Sequence, residues 1–199
     1  MSRIALGFRA HSGWAALVAV AGPPASATVV DRRRIELADA AIEGSKQPYH
    51  AAAGKKPKEA ERIVARCIDS SRRLAREALW AVLAELRQRH HDVVGCGLLL
   101  ASGRALPPDV HAILASHALI HAAEGEMYRD VLVRASEHFS LRVTGVRERD
   151  VLARAAEATG LAAAELQRRV AEMGRPLGPP WRQDEKLASL AAWTVLAQA

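Results

Sequence analysis

The N-terminal stretch of residues 3–21 reads RIALGFRAHSGWAALVAVA. Its two apolar runs, residues 3–8 and 14–21, each predict a short β-strand. The polar, glycine-containing segment between them, residues 9–13, is typical of a hairpin connection. Pro23 follows the second run and ends it, because proline cannot continue a hydrogen-bonded ladder. The chain is therefore expected to begin with an antiparallel pair of strands.

Three further strands are predicted downstream of this pair. Residues 28–37 extend the pair to an antiparallel three-strand meander. Residues 93–101, VVGCGLLLA, form a short and almost continuous apolar run, which is typical of a central strand buried on both faces. Residues 141–146 predict the fifth strand. Because helical segments precede the last two strands, these strands are expected to be parallel and connected by crossovers.

The helices are predicted from apolar residues that recur every three or four positions. They cover residues 58–90, 108–114, 116–138, one or two segments within 150–173, and 184–197. The expected fold class is α/β: a mixed five-strand sheet, with the three-strand meander and two parallel strands, and helices on both faces. We expect a single domain over residues 1–199, and a mobile loop over residues 44–58, which are rich in glycine, proline and lysine.

Composition limits the function classes. The chain has 199 residues, and its 28 Lys and Arg against 22 Asp and Glu give a net charge of +6. This charge is compatible with an anionic partner such as DNA or RNA, although arginine-rich usage is also typical of GC-rich genomes. No apolar run reaches the roughly 20 residues that a membrane span needs. The two cysteines, Cys67 and Cys96, predict no disulfide framework and fit a cytoplasmic protein.

The element order is the ribonuclease H-like order, and the chain most resembles the RuvC-type Holliday-junction resolvases. The opening Ile4-Ala5-Leu6-Gly7-Phe8-Arg9, with Ser12-Gly13-Trp14 after it, is similar to that family's pattern I-x-x-G-x-D followed by T-G-[YW]. The Asp-led, alanine-rich segment of residues 184–192 is similar to its closing helix, and residues 112–143 to its long helix and fifth strand. The resemblance implies two divalent cations held by about four carboxylates. In such a site one cation activates water and the other stabilises the leaving oxygen.

The chain departs from that family at the carboxylates. Arg9 stands where the resemblance places the first one, and Gly97 or Leu98 stands where it places the second. Asp184 alone matches a family acid by position. An arginine repels Mg²⁺, so the resemblance implies a ribonuclease H-like domain that has lost two-metal nuclease activity. An ion pair of Arg9 with Asp184 or with Glu124 would then replace the metals, with His11 close by; alternatively, these residues line a functional pocket.

A second candidate site lies in the helix of residues 116–138. His117, His121 and Glu124 are spaced to share one helix face. They could hold a transition metal or form an acid–base pair, or the histidines could only bond neighbouring backbone. Asp184 joins them as a candidate catalytic residue, although it could simply cap its helix. His50, beside Tyr49, is a further loop residue of the kind that contacts ligands. The ligand count falls short of a metal site, and the sequence identifies no cofactor.

Basic residues provide candidate nucleic-acid contacts. They are expected to form a phosphate-tracking stripe together with the arginines of the 58–90 helix, or else a merely solvated surface. The candidates are Arg9, His11, Arg32, Arg33, Arg34, Lys55 and Lys56. Only 4% of the residues are aromatic, which favours recognition of duplex or junction shape over stacking of single-stranded bases.

Three hypotheses about function follow from these observations. The first is a DNA- or RNA-associated binding or accessory protein, which could act as a homodimer. The second is an enzyme with altered chemistry at His117, His121 and Glu124, with or without a transition metal. The third is a non-catalytic protein-interaction module. The sequence leaves open whether the protein is an enzyme.

Overall fold

A mixed five-strand sheet forms the centre of the protein. The computed structural model describes residues 1–101, 103 and 105–199. The strands are β1 (Ser2–His11), β2 (Trp14–Ala21), β3 (Thr28–Glu36), β4 (His91–Leu100) and β5 (Val143–Arg147). Their order in the sheet is β3-β2-β1-β4-β5. β2 pairs antiparallel with β1 and β3, whereas β4 pairs parallel with β1 and β5. This confirms the predicted meander with two added parallel strands.

The hairpin between β1 and β2 is tighter than the sequence predicted. Residues 9–11 continue β1, with His11 opposite Trp14 in the ladder, so the turn consists of Ser12 and Gly13 alone. Gly13 has a φ of +84°, a value that side-chain-bearing residues rarely adopt. The prediction of a turn over residues 9–13 is therefore too long. Its error matters, because Arg9 and His11 are held on a rigid strand.

Helices cover both faces of the sheet, as predicted. They are α1 (Pro48–Ala52), α2 (Pro57–Gln88), α3 (Val110–Leu114), α4 (His117–His138), α5 (Val151–Thr159), α6 (Ala163–Met173) and α7 (Gln183–Gln198). Short 3₁₀ turns occur at Pro24–Ser26, Glu148–Asp150 and Arg175–Leu177.

The two sheet faces have separate hydrophobic cores. Alternate residues of β1 point to opposite faces, because side chains alternate along a strand. Leu6 belongs to the core that contains α2 and α4, for example Leu79 and Met127. Ala5 belongs to the core that contains α5, α6 and α7, for example Trp193. Consequently α4 and α7 lie on opposite sides of the sheet.

The prediction of a loop over residues 44–58 is wrong for residues 48–52, which form α1. Pro48 occupies the first turn, where its missing N–H leaves no bond unmade. Tyr49 is buried in the core beside α2 and α4. The segment before α1 is also attached to α4, because the Tyr128 hydroxyl donates a hydrogen bond to the Ser45 carbonyl at 2.6 Å. A five-residue helix is too short to show an apolar periodicity in the sequence. It forms here because Tyr49 and Ala52 pack against α2 and α4.

Two further predictions concern membrane-spanning helices and the state of the two cysteines. Among the helices in the described ranges, none is long and apolar enough to cross a membrane. Cys67 and Cys96 are both buried as free thiols. Burial raises the pKa of the Cys96 thiol to about 12 and also raises the pKa of the Cys67 thiol.

Candidate functional site

The parallel strands bring three strand ends to one edge of the sheet. β1, β4 and β5 run in the same direction, so the ends that carry His11, Leu100 and Arg147 lie together. A groove with a volume of about 580 Å³ opens at this edge. In open α/β sheets, ligands bind at the carboxyl ends of the strands. This groove is therefore the first candidate site.

Arg9 lies at one wall of the groove and is bound to two carboxylates. Its Nη1 donates to Oδ1 of Asp184, in the first turn of α7. Its Nε and Nη2 donate to the carboxylate of Glu148 at 3.1–3.2 Å, in the turn after β5. The Arg9 side chain is 22% exposed. Of the two ion pairs that the sequence left open for Arg9, the structure contains the one with Asp184.

His11 completes this ion-pair cluster. Its Nε2 lies 2.9 Å from Oδ1 of Asp184. Its ring stacks on Trp14 with centroids 4.3 Å apart, and the Arg34 guanidinium covers the same indole at 3.9 Å. Two stacked contacts on one indole fix the orientation of the imidazole toward α7.

Asp184 is not the N-cap of its helix, so that interpretation is wrong. Arg182 is the N-cap residue, and its backbone N–H donates to the Glu185 carboxylate at 2.7 Å. The Asp184 carboxylate is thus free to bond Arg9 and His11. Burial alone would raise the pKa of Asp184, but the hydrogen bonds and positive charges of those two partners outweigh it and lower the pKa.

Two glycines allow α7 to lie directly on the sheet below this cluster. A Cβ on Gly97 of β4 would be 2.5 Å from the Ala191 carbonyl carbon, and one on Gly7 of β1 would be 2.8 Å from that of Ala188. Both distances are shorter than real Cβ atoms show, and the obstructing atoms are backbone. The next residue, Leu98, points into the core on the other sheet face and is 1% exposed. Neither position 97 nor position 98 can present a carboxylate to the groove.

Four of the residues that line the groove are arginines. Besides Arg9, the lining includes Arg129 from α4 and Arg147 and Arg149 from the end of β5 and the turn after it. Arg129 is bonded to Glu126 at 3.0 Å, and Arg149 lies 3.5 Å from Asp150. Within the described part of the chain, Arg147 forms no ion pair with an acidic side chain. The groove therefore presents guanidinium groups to solvent.

Glu124 does not join Arg9, because α4 and α7 lie on opposite sheet faces. The expectation that Glu124 converges with Arg9, His11 and Asp184 is therefore wrong. The Glu124 side chain is 3% exposed and faces α1. Its Oε1 accepts hydrogen bonds from the His50 backbone N–H at 3.1 Å and lies 2.9 Å from His50 Nδ1.

The histidines of α4 meet His50 at the surface. The rings of His117 and His121 are 4.4 Å apart by centroid, as expected one helical turn apart. The His50 ring lies 5.4 Å from His117 and 4.7 Å from His121. One ring nitrogen from each histidine lies within 4.8 Å of the others. The cluster therefore consists of His50, His117 and His121, and Glu124 is buried and bonded to His50 instead of standing among the ring nitrogens.

The predicted basic stripe is interrupted by partners within the protein. Arg33 bonds Asp31 and Glu85 at 2.5–3.1 Å, and the Glu85 bond raises the pKa of Arg33 despite burial. Arg32 donates instead to backbone carbonyls of the loop before α7, including that of Gly178 at 2.9 Å. The prediction that these arginines share one stripe is wrong, because neighbouring residues of a strand point to opposite faces.

The other basic candidates lie apart from the groove lining. Arg34 stacks on Trp14 and bonds Glu36 at 2.6 Å. Lys55 and Lys56 are exposed immediately before α2, and Lys55 Nζ lies 3.9 Å from Glu59. Of the candidate nucleic-acid contacts, only Arg9 and His11 line the groove.

Comparison with known proteins identifies the architecture. No family model matches the sequence, and no curated protein matches it. Thermus thermophilus RuvC in complex with Holliday junction substrate is similar in structure, with a TM-score of 0.53, 11% identity, and coverage of 96% of this chain and 91% of that chain. A second structure of Thermus thermophilus RuvC gives the same TM-score and coverage at 13% identity. The chain has the RuvC fold. The resemblance in element order is thereby confirmed at the level of fold.

The residues present do not fit the metal pair that the RuvC resemblance implies. Arg9 stands where the resemblance places the first carboxylate, and its guanidinium forms ion pairs with Asp184 and Glu148. The α7 backbone fills the space above Gly97. Hard divalent cations need several free oxygen ligands. At this edge of the RuvC-like sheet, a divalent cation would meet the positive charge of Arg9 and two carboxylates that are already bonded to it.

Glu148 and Arg147 are site residues that the sequence reasoning missed. Arg147 is the last residue of β5 and Glu148 is the first residue after it, in the segment Arg147-Glu148-Arg149-Asp150. A signal was present, because charged residues after a parallel strand lie at the same edge as the ends of its neighbours.

Proposed function

We propose that this protein binds structured DNA through the arginine-lined groove, and that it does so without two-metal hydrolysis. The observation that carries this proposal is the ion pairing of Arg9 with Asp184 and Glu148 at the end of β1. These ion pairs occupy the two carboxylates that a cation would need, and they leave the exposed guanidinium groups of Arg147 and Arg149 as the positive charges that the groove offers to a ligand.

The charge distribution of the groove supports phosphate binding. Arg147 and Arg149 extend toward solvent, and Arg149 is 72% exposed. Guanidinium groups bind phosphate oxygens in a bidentate manner and remain charged at all physiological pH values. Arg9 is saturated by its own carboxylates, so its role is to hold the groove together. Arg129 is bonded to Glu126 and its side chain is only 12% exposed, so the proposed DNA contacts are Arg147 and Arg149.

The fold supports structured DNA as the ligand class. Thermus thermophilus RuvC, which shares this fold, has been solved with a Holliday junction substrate. Recognition of duplex or branched shape needs phosphate contacts more than aromatic stacking, and the chain is poor in aromatic residues. DNA association also fits the predicted cytoplasmic location.

Fluorescence anisotropy with a labelled four-way junction, at several salt concentrations, tests the binding proposal. We expect retention at about 50 mM salt and weaker binding as salt increases. R147A/R149A should reduce the slope of log K against log salt by about 2, since each phosphate contact contributes about 0.9. R154A/R168A, which removes two exposed arginines of α5 and α6, is the matched control.

Two results would contradict the binding proposal. One is no retention of the junction at about 50 mM salt, which would favour a protein-interaction module. The other is an equal loss of binding in R154A/R168A, which would show that net charge alone matters. A linear duplex of the same length tests whether branching adds affinity. Light scattering of the protein alone tests the predicted homodimer.

A separate assay tests the absence of hydrolysis. The junction is incubated with the protein and Mg²⁺ or Mn²⁺, and products are separated on a denaturing gel. We expect intact strands, because the carboxylates at the groove are bound to Arg9. Metal-dependent cleavage that Asp184→Asn abolishes would refute this part of the proposal.

A further inference from the structure

The histidine cluster lies on the sheet face opposite α7 and has no role in the proposed DNA groove. His50 comes from α1, and His117 and His121 come from consecutive turns at the start of α4. Their nearest ring nitrogens all lie within 4.8 Å of one another. His117 and His121 are exposed, and the His50 side chain is 28% exposed. Nothing in the DNA-binding proposal requires three imidazoles at this place.

A buried carboxylate stands behind the cluster. Glu124 is almost fully buried and, within the described part of the chain, its hydrogen-bond partners are the backbone N–H and Nδ1 of His50. When Nδ1–H of a neutral His50 imidazole donates this hydrogen bond to the Glu124 carboxylate, the lone pair is on Nε2, the ring nitrogen farther from Glu124. A carboxylate–histidine pair of this kind is the outer support that metal-binding histidines use.

We propose that His50, His117 and His121 bind one Zn²⁺ ion, with Glu124 orienting His50 from outside the coordination sphere. Three neutral imidazoles are a ligand set that zinc accepts, and a fourth, open position facing solvent would hold water. The spacing in the sequence suggested Glu124 as the third metal ligand beside His117 and His121. In the structure Glu124 instead bonds His50, and His50 provides the third ligand.

The three ring nitrogens need to move only a short distance toward one another to bind a common zinc ion. Nitrogens that share a tetrahedral zinc lie about 3.3 Å apart, given Zn–N distances of about 2.0–2.1 Å. The three ligand atoms are within 4.8 Å of one another. Rotation of the exposed His117 and His121 rings about χ1 and χ2 can bring them onto His50, which is held by Glu124. The bound ion would connect α1 to α4.

Metal titration of the full chain, purified without a histidine tag, tests this site. Zn²⁺ binding is measured by calorimetry, and Co²⁺ is used as a spectroscopic probe because tetrahedral coordination produces intense visible bands. We expect about one ion per chain. H117A/H121A, which changes only exposed side chains, should abolish the site. H138A on the same helix is the control and should retain it.

The role of Glu124 has its own readout. Glu124→Gln should weaken Zn²⁺ binding about 10- to 100-fold while the stoichiometry stays at one ion, because outer carboxylates have effects of this size. Circular dichroism of each variant verifies folding, and Glu124→Asp tests rescue. Equal binding by H117A/H121A and the unmutated chain, or octahedral Co²⁺ spectra, would overturn the metal site. Unchanged affinity in a folded Glu124→Gln variant would overturn the orienting role. DNA binding without Zn²⁺ would leave the groove proposal unaffected.

Discussion

Replacing Gly97 with alanine tests how closely α7 lies on the sheet. The new Cβ would be 2.5 Å from the Ala191 carbonyl carbon. A relaxed contact between carbon atoms is about 3.5–4.0 Å, so α7 or β4 must move by about 1 Å. Overpacking of this kind costs about 1–3 kcal/mol. The carbonyl group that obstructs the new Cβ belongs to the α7 backbone and cannot rotate away, so we expect a value near the upper limit, about 3 kcal/mol.

The matched control is Gly125→Ala, the same chemical change in the middle of α4. Its Cβ would meet only the end of the flexible Arg129 side chain, at 3.2 Å. Alanine is favoured over glycine inside a helix by about 1 kcal/mol. Gly125→Ala should therefore be neutral or slightly stabilising. The two variants should differ in free energy of unfolding by about 3–4 kcal/mol.

Urea unfolding, followed by tryptophan fluorescence and circular dichroism, measures both variants. A loss of about 3 kcal/mol corresponds to a decrease in Tm of roughly 6–12 °C for a domain of this size. If the free energy of unfolding of Gly97→Ala stays within about 0.5 kcal/mol of that of the unmutated protein, α7 can move away from β4 at little cost. The sheet could then accept a side chain at that position, and the reasoning that excludes a carboxylate there would be refuted.

Other substitutions test the remaining contacts. Asp184→Asn should destabilise the protein at neutral pH. The hydrogen bond from Arg9 lowers the pKa of Asp184 in the folded protein. The Asp184 carboxylate therefore stabilises the fold at pH values above its ordinary pKa, and this stabilisation is lost as the pH falls through the lowered pKa. In Asp184→Asn, the free energy of unfolding should decrease less steeply on acidification than in the unmutated protein. A disulfide reagent should leave Cys67 and Cys96 unmodified in the folded protein at mildly alkaline pH and react with both in urea, since burial raises both pKa values. Tyr128→Phe should cost about 1–2 kcal/mol in urea unfolding, because a buried carbonyl before α1 loses its donor.

The sheet and most helices could be predicted because their signals are local. Residues 93–101 form an almost continuous apolar run, which is typical of a strand covered on both faces. The stripe along α2 likewise indicates one buried helix face. In contrast, α1 has five residues between glycine-containing segments, and its helical form depends on packing against α2 and α4.

The partners of charged residues could not be predicted in the same way. The sequence identified Arg9 as anomalous and Asp184 as a candidate partner, but also allowed Glu124. The helices that carry the two acids lie on opposite sheet faces, and this arrangement chooses between them. Residue type indicates what a side chain can bind, whereas strand order and helix placement determine what it reaches.

The sequence by itself determined the element order, the mixed sheet and the cation at the end of β1, because periodicity and residue type act over short distances along the chain. Only the tertiary structure decided that Arg9 binds Asp184, 175 positions away, and that His50 bonds Glu124, 74 positions away. Such pairs depend on the positions of whole helices. Those positions result from the packing of two cores, including the close contact at Gly97, and no single stretch of residues encodes them.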